Sequence, residues 1–221
     1  YKKEDDVILF IQKFEKKNEL DSTLKSILGL AYFQKKQFNL AKSFYYESIN
    51  LNNDNSDTYT LLGDSFLAVG DFNNAKINYH KSLKIKPNNK MALNNLAALN
   101  FFTGNLTETV NNYELSLKYN NNNYDAHYYL AQCQLLQGNF NKGWRNYKYR
   151  WLASQFNSNK LEINLPEFNI KNDKKNLLLW SEQGVGDQIL FLRFLKDLEP
   201  YVSNLFIKIE PRLHHIVKRI L

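Results

Sequence analysis

A period of 34 residues runs through most of this 221-residue chain. Five series of like residues keep this spacing without gaps, which predicts a repeat architecture. The series are Leu28, Leu62, Leu96 and Leu130; Tyr45, Tyr79, Tyr113 and Tyr147; Gly70, Gly104 and Gly138, with Lys36 at the equivalent first position; Phe38, Phe72, Leu106 and Phe140; and Ser48, Ser82 and Ser116.

Each period contains two amphipathic patterns of helical spacing. In the second period one apolar stripe ends at Gly70, and another follows and ends before Pro87. Glycine and proline are the residues expected at such helix ends. The small residues Ala41 and Ala75 predict that the two helices of a unit approach closely, with the tyrosine four positions later filling the space beside them.

This pattern resembles the tetratricopeptide repeat family. Leu28-Gly29 with Tyr32 matches the family motif, as does Leu62-Gly63 with Phe66 and Pro87; alanine replaces the glycine at Ala97 and Ala131, and asparagine the proline at Asn53 and Asn121. The resemblance implies a mostly α protein, an α-α superhelical solenoid of stacked helix pairs. Its units would be residues 22–55, 56–89, 90–123 and 124–157, preceded by a capping helix or partial repeat in 1–21. Val7, Ile8, Ile11 and Phe14 form the apolar face of that first helix.

Members of this family hold peptides or partner proteins on the concave surface of the stack, so the resemblance implies a groove here. The candidate groove residues are Thr60, Asp64, Asn94, Asn95, Asp125 and Tyr129. Some members clamp a terminal carboxylate with Lys, Asn and Arg, but only Asn95 fits that set, and two aspartates would repel a carboxylate. We therefore expect no such clamp. The alternative for Asn94, Asn95 and Asn100 is that they are merely solvated.

Positive charge is concentrated in the last third of the chain. Residues 1–141 hold 15 basic and 14 acidic side chains, whereas residues 142–221 hold 14 and 8, including all five arginines. A helix predicted over 141–155 places Trp144, Tyr147 and Trp151 on one buried face, with basic residues between them. Basic residues among aromatics are also found where proteins bind single-stranded nucleic acid, which is a competing interpretation of this region.

The period changes after a linker-like stretch, residues 158–176. Apolar runs at 177–180 and 205–209 are typical of buried parallel strands, a helix is predicted from about 187 to 199, and Pro211 suits the first turn of another. This order predicts the opening of a Rossmann-like, doubly wound α/β sheet with a right-handed crossover. Gly184, Val185 and Gly186 would then lie where the first strand ends and a helix begins, a favourable place for an anion or phosphate.

The segment from Leu178 to Phe191 resembles the start of the glycosyltransferase-like domain found behind tetratricopeptide repeats in bacterial proteins. That domain is similar to heptosyltransferases, whose fold is GT-B, and residues 177–221 would be the beginning of its N-terminal half. The resemblance makes Asp187 a candidate general base on a sugar acceptor; the alternative is that Asp187 only caps its helix. A nucleotide-sugar donor would bind elsewhere in a longer protein, because we expect the natural chain to continue past Leu221. No cofactor is expected within this span.

Other classes of protein are disfavoured by composition. The single cysteine, Cys133, excludes an internal disulfide framework and favours a reducing, cytoplasmic location. No apolar run approaches the ~20 residues of a membrane span, and no spacing of His, Cys and acidic residues predicts a metal site. Three functions remain: a peptide-binding scaffold joined to a glycosyltransferase-like domain, a pure interaction scaffold, and a nucleic-acid-binding protein.

Overall fold

The computed structural model describes residues 2–15, 20–158, 160–168, 175–182 and 184–220. The chain divides into two compact units, residues 1–154 and 155–221, which are described separately below. Parts of the predicted linker, Gln183 and the side chain of Phe14 lie outside the described residues. None of the described helices is long and apolar enough to span a membrane.

The first unit consists of antiparallel helix pairs, called repeats below, that recur every 34 residues. A first helix begins at residues 22, 56, 90 and 124, and its partner begins at 38, 72, 106 and 140. The helices are α1 (Lys2–Glu15), α2 (Ser22–Gln34), α3 (Phe38–Leu51), α4 (Ser56–Ala68), α5 (Phe72–Ile85), α6 (Lys90–Phe102), α7 (Leu106–Tyr119), α8 (Tyr124–Leu136) and α9 (Phe140–Tyr147).

Asparagine and aspartate side chains start most of these helices. The carboxylate of Asp21 accepts a hydrogen bond from the Leu24 amide, and the same arrangement begins five further helices. The other capping residues are Asn55, Asp71, Asn89, Asn105 and Asn123. Each satisfies backbone donors that the first turn of a helix leaves free. Part of the high asparagine content therefore has a structural role.

The first helix of each pair ends on a residue with left-handed backbone. Its φ is +79° at Gly70, +81° at Gly104 and +76° at Gly138, and it is +60° at Lys36. The amide one residue later returns to the carbonyl five residues back, as from Asp71 to Phe66 (2.9 Å). This Schellman-type ending sends the chain directly into the second helix.

A tyrosine of the second helix packs against a glycine of the first. A Cβ on Gly29 would lie 2.5 Å from Cε1 of Tyr45, and one on Gly63 would lie 2.6 Å from Cε1 of Tyr79. Both tyrosines are completely buried. The leucine–glycine motif is thus explained by the space that the ring of Tyr45 or Tyr79 needs.

The helix pairs stack through successive core layers. Leu62 packs with Tyr45, Leu96 packs with Tyr79, and Leu130 packs with Tyr113. Each layer therefore joins the tyrosine of one repeat to the leucine of the next. At the amino end, Ile8 and Ile11 of α1 are buried against α2, so α1 covers the first layer, while Val7 is exposed. The prediction of stacked helix pairs is confirmed.

The serine series lies in a buried polar seam between the two helices of a repeat, and Ser48 also lies 3.5 Å from Thr58 of the next repeat. Ser48 donates to the Ser22 carbonyl (2.7 Å), and Ser82 shares a hydrogen bond with Thr60 (2.8 Å). The Asn89 amide nitrogen lies near both Ser82 and Ser56, at 3.1 and 3.2 Å respectively. The hydrogen bonds of this seam connect neighbouring helices. They also satisfy buried polar atoms that an apolar contact would leave unpaired.

The end of the repeats differs from the sequence-based prediction. A single helix was expected over 141–155, but α9 ends at Tyr147 and a 3₁₀ segment follows at Lys148–Leu152. The carboxylate of Asp125 accepts hydrogen bonds from the Ser154 amide (2.6 Å) and hydroxyl (2.9 Å), which holds the chain back against α8. Trp144, expected on a buried face, is 53% exposed.

The second unit contains two parallel strands with helices between and after them. Strand β1 (Lys175–Trp180) pairs with β2 (Val202–Lys208), with Leu178 opposite Phe206. Its remaining elements are α10 (Val185–Leu192), α11 (Leu195–Leu198) and α12 (His214–Ile220), with 3₁₀ turns at Glu199–Tyr201 and Pro211–Leu213. The predicted order of strands and helices is present, but the described residues form only a two-stranded sheet. A doubly wound Rossmann-like fold is not established.

The helix predicted over 187–199 is in fact broken. It begins at Val185, stops at Leu192, and resumes for four residues from Leu195. The residue at the N-cap is Gly184, and no side chain caps this helix. The alternative that Asp187 only caps this helix is therefore wrong: Asp187 is exposed and lies in the first turn.

The left-handed residue at the end of α2 gives a prediction. A side chain in this conformation carries strain that glycine avoids. We expect Lys36→Gly to raise the free energy of unfolding by about 0.5–1 kcal/mol in urea denaturation. Lys84→Gly, on the exposed face of α5, is the control and should lower it by up to about 1 kcal/mol. A free energy of unfolding lower than that of the wild type in Lys36→Gly would contradict the prediction that the Lys36 backbone is strained.

Candidate functional site

The first helices of successive repeats contact one another along one side of the stack. Helix α2 contacts α4, and α4 contacts α6. Residues 34 apart on these helices form a row of side chains: Ile27, Leu61, Asn95 and Tyr129. All four are at least partly exposed. This row and its neighbours on the first helices are called the inner wall below.

The predicted groove residues do not all reach the inner wall. Thr60 is buried; its hydroxyl donates to the Ser56 carbonyl (3.1 Å) and pairs with Ser82, so it belongs to the polar seam. Asn94 is half-buried, and its side-chain oxygen accepts from the Ser116 hydroxyl (2.6 Å). Asp125 holds Ser154 through its carboxylate. Hydrogen bonds inside the first unit therefore occupy Thr60, Asn94 and Asp125.

Tyr129 is half-buried on the inner wall. Its ring stacks on that of Tyr113, with centroids 6.0 Å apart and planes 13° apart. Burial raises the pKa of its phenol. The ring is thus held in a fixed orientation by the layer beneath it while part of its surface remains accessible.

Asp64 and Asn95 form the centre of the inner wall. The Asp64 Oδ1 atom accepts a hydrogen bond from the Tyr79 hydroxyl (2.7 Å) and another from the Asn95 amide (2.6 Å). Tyr79 belongs to the same helix pair as Asp64, and Asn95 belongs to the next. This carboxylate therefore joins two successive units.

Burial dominates the electrostatics of Asp64. It raises the pKa of the carboxyl, and the hydrogen bonds from Tyr79 and Asn95 oppose that rise. No ion pair to Asp64 is present among the described residues. Burial and the nearby Asp64 charge together raise the pKa of both Tyr45 and Tyr79.

Tyr45 is the counterpart of Tyr79 in the first repeat, but its hydroxyl is buried without a hydrogen-bond partner in the part of the chain that the structure describes. The position equivalent to Asp64 is Leu30, which offers no acceptor. Sequence periodicity identified Tyr45 only as a core residue. The signal available was the change from Leu30 to Asp64 at the same place in consecutive repeats.

Asn100 is also buried, contrary to the expectation that it is solvated. It is 1% exposed, and neither polar atom of its side chain has a partner in the described structure. The equivalent residues in the first two repeats are Tyr32 and Phe66. An asparagine thus occupies a position that the earlier repeats fill with an aromatic ring.

The basic and aromatic side chains near residue 150 are packed on one another. The Arg150 guanidinium lies over the rings of Tyr147 (4.7 Å) and Trp151 (4.4 Å) and donates to the Tyr147 carbonyl. His127 is buried and stacks on Tyr149 with a centroid separation of 4.0 Å. This arrangement uses the aromatic faces that nucleic-acid bases would need.

The glycine-containing loop of the second unit lies at the carboxyl end of β1. Gly184, Gly186 and Asp187 are exposed and Val185 is half-buried. The Asp187 Oδ2 atom would lie 3.8 Å from a Cβ on Gly184. Among the described residues, no group of three or more His, Cys, Asp or Glu side chains is placed to hold a metal ion.

The environment of Asp64 predicts a pH dependence of stability. Because its pKa is raised in the folded state, the unfolded chain releases this proton first as the pH rises above the ordinary value of 3.8. This group therefore lowers the free energy of unfolding as the pH rises towards neutrality. We expect Asp64→Asn to gain stability relative to wild type between pH 3 and pH 7, measured by urea denaturation. A constant difference between the two proteins over this range would contradict the raised pKa.

The two equivalent tyrosines provide a matched pair of variants. Tyr79→Phe removes a hydrogen bond to a half-buried carboxylate and should lower the free energy of unfolding by about 1.5–3 kcal/mol. Tyr45→Phe removes an unpartnered buried hydroxyl, so the change should be neutral or stabilising by up to about 1 kcal/mol. Chemical denaturation followed by circular dichroism measures both, and equal losses would contradict the different roles of the two hydroxyls.

Part of the chain matches a known family. Residues 25–55 and 56–89 match the tetratricopeptide repeat model. No curated protein sequence is significantly similar to the chain.

Several solved structures share the fold at low sequence identity. A structure of MamA is 15% identical, with a TM-score of 0.58, and the match covers 64% of this chain and 83% of that one. A MamA RS-1 ArsTM double mutant is 10% identical, with a TM-score of 0.59 and coverage of 66% and 82%. The first TPR of Spaghetti (RPAP3), bound to the HSP90 peptide SRMEEVD, is 17% identical, with a TM-score of 0.52 and coverage of 55% and 96%. The first unit of this chain is thus a solenoid that contains tetratricopeptide repeats.

Proposed function

We propose that the first unit is a scaffold that binds an extended peptide or protein segment along the inner wall. The observation that carries the proposal is the row Ile27, Leu61, Asn95 and Tyr129, which offers partly exposed side chains at one position in four successive units. A solenoid presents such a row as a continuous surface. The peptide bound to the Spaghetti (RPAP3) structure supports this use of the fold.

The charge of the inner wall disfavours an acidic ligand. The first helices carry three aspartates, Asp57, Asp64 and Asp125, and two lysines, Lys25 and Lys90, of which Lys25 is paired with Glu47 (2.8 Å). We therefore propose a ligand other than a peptide with a carboxylate-rich C-terminus. The absence of a carboxylate clamp stays a prediction.

Mapping a bound peptide by NMR tests the scaffold function. Peptides selected from a random library of blocked ten-residue sequences should shift amide resonances of α2, α4, α6 and α8. Ile27→Glu should weaken their binding at least about tenfold, equivalent to about 1.4 kcal/mol. Tyr46→Ala, on the exposed face of α3, is the control and should bind normally. Shifts confined to the second helices, or no selected peptide, would contradict the proposal.

We further propose that residues 177–221 begin a glycosyltransferase-like domain, with Asp187 as general base toward a sugar acceptor. The parallel pairing of β1 and β2 around α10 supports the α/β arrangement. The exposed position of Asp187 in the first turn of α10 supports access to a substrate. Gly184, Val185 and Gly186 would approach a phosphate or other anion, and the nucleotide-sugar donor would bind outside this span. A cytoplasmic location accompanies this proposal.

A transfer assay distinguishes this enzyme from a pure interaction scaffold. The natural full-length protein should hydrolyse or transfer sugar from a nucleotide-sugar donor, and Asp187→Ala should reduce turnover by at least about a hundredfold. Asp197→Ala, on α11, is the matched control. Peptide binding without turnover would favour the pure scaffold, and equal turnover in Asp187→Ala would remove Asp187 as the base.

A further inference from the structure

The Asp64 carboxylate has one oxygen committed to the protein and one that is not. Both internal hydrogen bonds, from Tyr79 and Asn95, reach Oδ1. No described residue donates to Oδ2, and Oδ2 is not among the buried unpaired atoms, so this oxygen is not fully buried. A carboxylate can accept up to four hydrogen bonds, which leaves acceptor capacity at Oδ2.

The charge on Asp64 has no counter-ion among the described residues. Its neighbours at the same centre are the neutral groups Tyr79, Asn95 and Tyr45. A half-buried carboxylate without a cation is costly to maintain, because desolvation is not compensated by an ion pair. Binding of a cation would supply that compensation.

Asp64 is the acid at its position in the four repeats. The equivalent residues are Leu30, Ala98 and Gln132, so no other repeat places a carboxylate there. In the first repeat the hydroxyl of Tyr45, the counterpart of Tyr79, is buried without a hydrogen-bond partner among the described residues. The negative charge on this face therefore belongs to the second repeat.

Apolar side chains on the same and the adjacent first helix are partly exposed. Ile27 and Leu30 of α2 are 39% and 36% exposed, and Leu61, one helical turn before Asp64 on α4, is half-buried. Helices α2 and α4 contact each other. A lysine or arginine side chain has an aliphatic stem that packs on apolar side chains while its charged end reaches an acceptor.

We propose that Asp64 and the apolar residues beside it, Ile27, Leu30 and Leu61, form a subsite for a lysine or arginine side chain of an extended peptide. The cation binds Oδ2 of Asp64, and its stem lies over Leu30 and Leu61. This inference rests on the proposed scaffold function and names the chemistry of its ligand. In the peptide, apolar residues on either side of the lysine or arginine contact the apolar side chains of the inner wall.

Three blocked heptapeptides test the subsite. They share the sequence Gly-Ser-Leu-Xaa-Leu-Ser-Gly, acetylated and amidated, with Xaa as Lys, Gln or Glu. Isothermal titration and NMR shift mapping should show the Lys peptide binding the inner wall at least tenfold more tightly than the Gln peptide, and the Glu peptide most weakly. Asp64→Asn should reduce the affinity for the Lys peptide to that for the Gln peptide. Asp54→Asn removes an exposed charge between α3 and α4 and should leave the preference unchanged.

The outcomes separate this inference from the scaffold function. If Lys and Gln peptides bind the inner wall equally, and Asp64→Asn changes neither, the basic subsite is overturned while peptide binding stands. If no heptapeptide shifts the resonances of α2, α4 and α6, both proposals fail. The Asp64 ¹³Cγ resonance is a second readout in the unmodified protein: the Lys peptide should lower the pH at which it titrates, and the Gln peptide should not.

Discussion

The close contact between a tyrosine ring and a glycine is the interaction on which the first two helix pairs depend. The ring of Tyr45 or Tyr79 occupies the volume that a Cβ on Gly29 or Gly63 would fill. It brings the second helix against the first and also supplies one side of the layer that receives the leucine of the next unit. Because core interiors are close-packed, the same contact fixes the geometry within a unit and the stacking between units.

Polar contacts then decide how neighbouring units are joined. Ser82, Thr60 and Asn89 form a buried seam, and Asp64 links Tyr79 to Asn95 on the inner wall. Asn89 starts the first helix of the third repeat and contacts residues of the second, and Asp64 accepts from residues of both. Neighbouring repeats therefore share an apolar layer and a set of hydrogen bonds. The groups left unsatisfied, Tyr45 and Asn100, lie where a repeat has lost the partner or the residue type of its neighbours.

Periodicity made the fold of the first unit predictable. Leucine and tyrosine recur because each fills a steric requirement that the repeats share, and one sequence displays such requirements four times. The groove was less predictable, because a side chain near the inner wall either faces outward or enters the seam, as Thr60 does. That choice depends on contacts with other units, which a periodic pattern does not specify.

Irregular positions were predicted least well. The continuous helix expected through Trp151 is interrupted, because Asp125, far away in sequence, holds Ser154. Likewise, the helix after β1 starts earlier than its charged residue suggested, with Gly184 rather than Asp187 at its boundary. Both differences arise where an end is set by tertiary contact or backbone geometry and not by local composition.

The seam around Asn89 has a consequence for how the solenoid comes apart. One side chain there starts α6 and also contacts Ser56, Asp57 and Ser82 of the preceding unit. Repeat arrays fray from their ends, since terminal units have one neighbour instead of two. The junction between the second and third repeats should therefore stay folded while the terminal repeats unfold and refold.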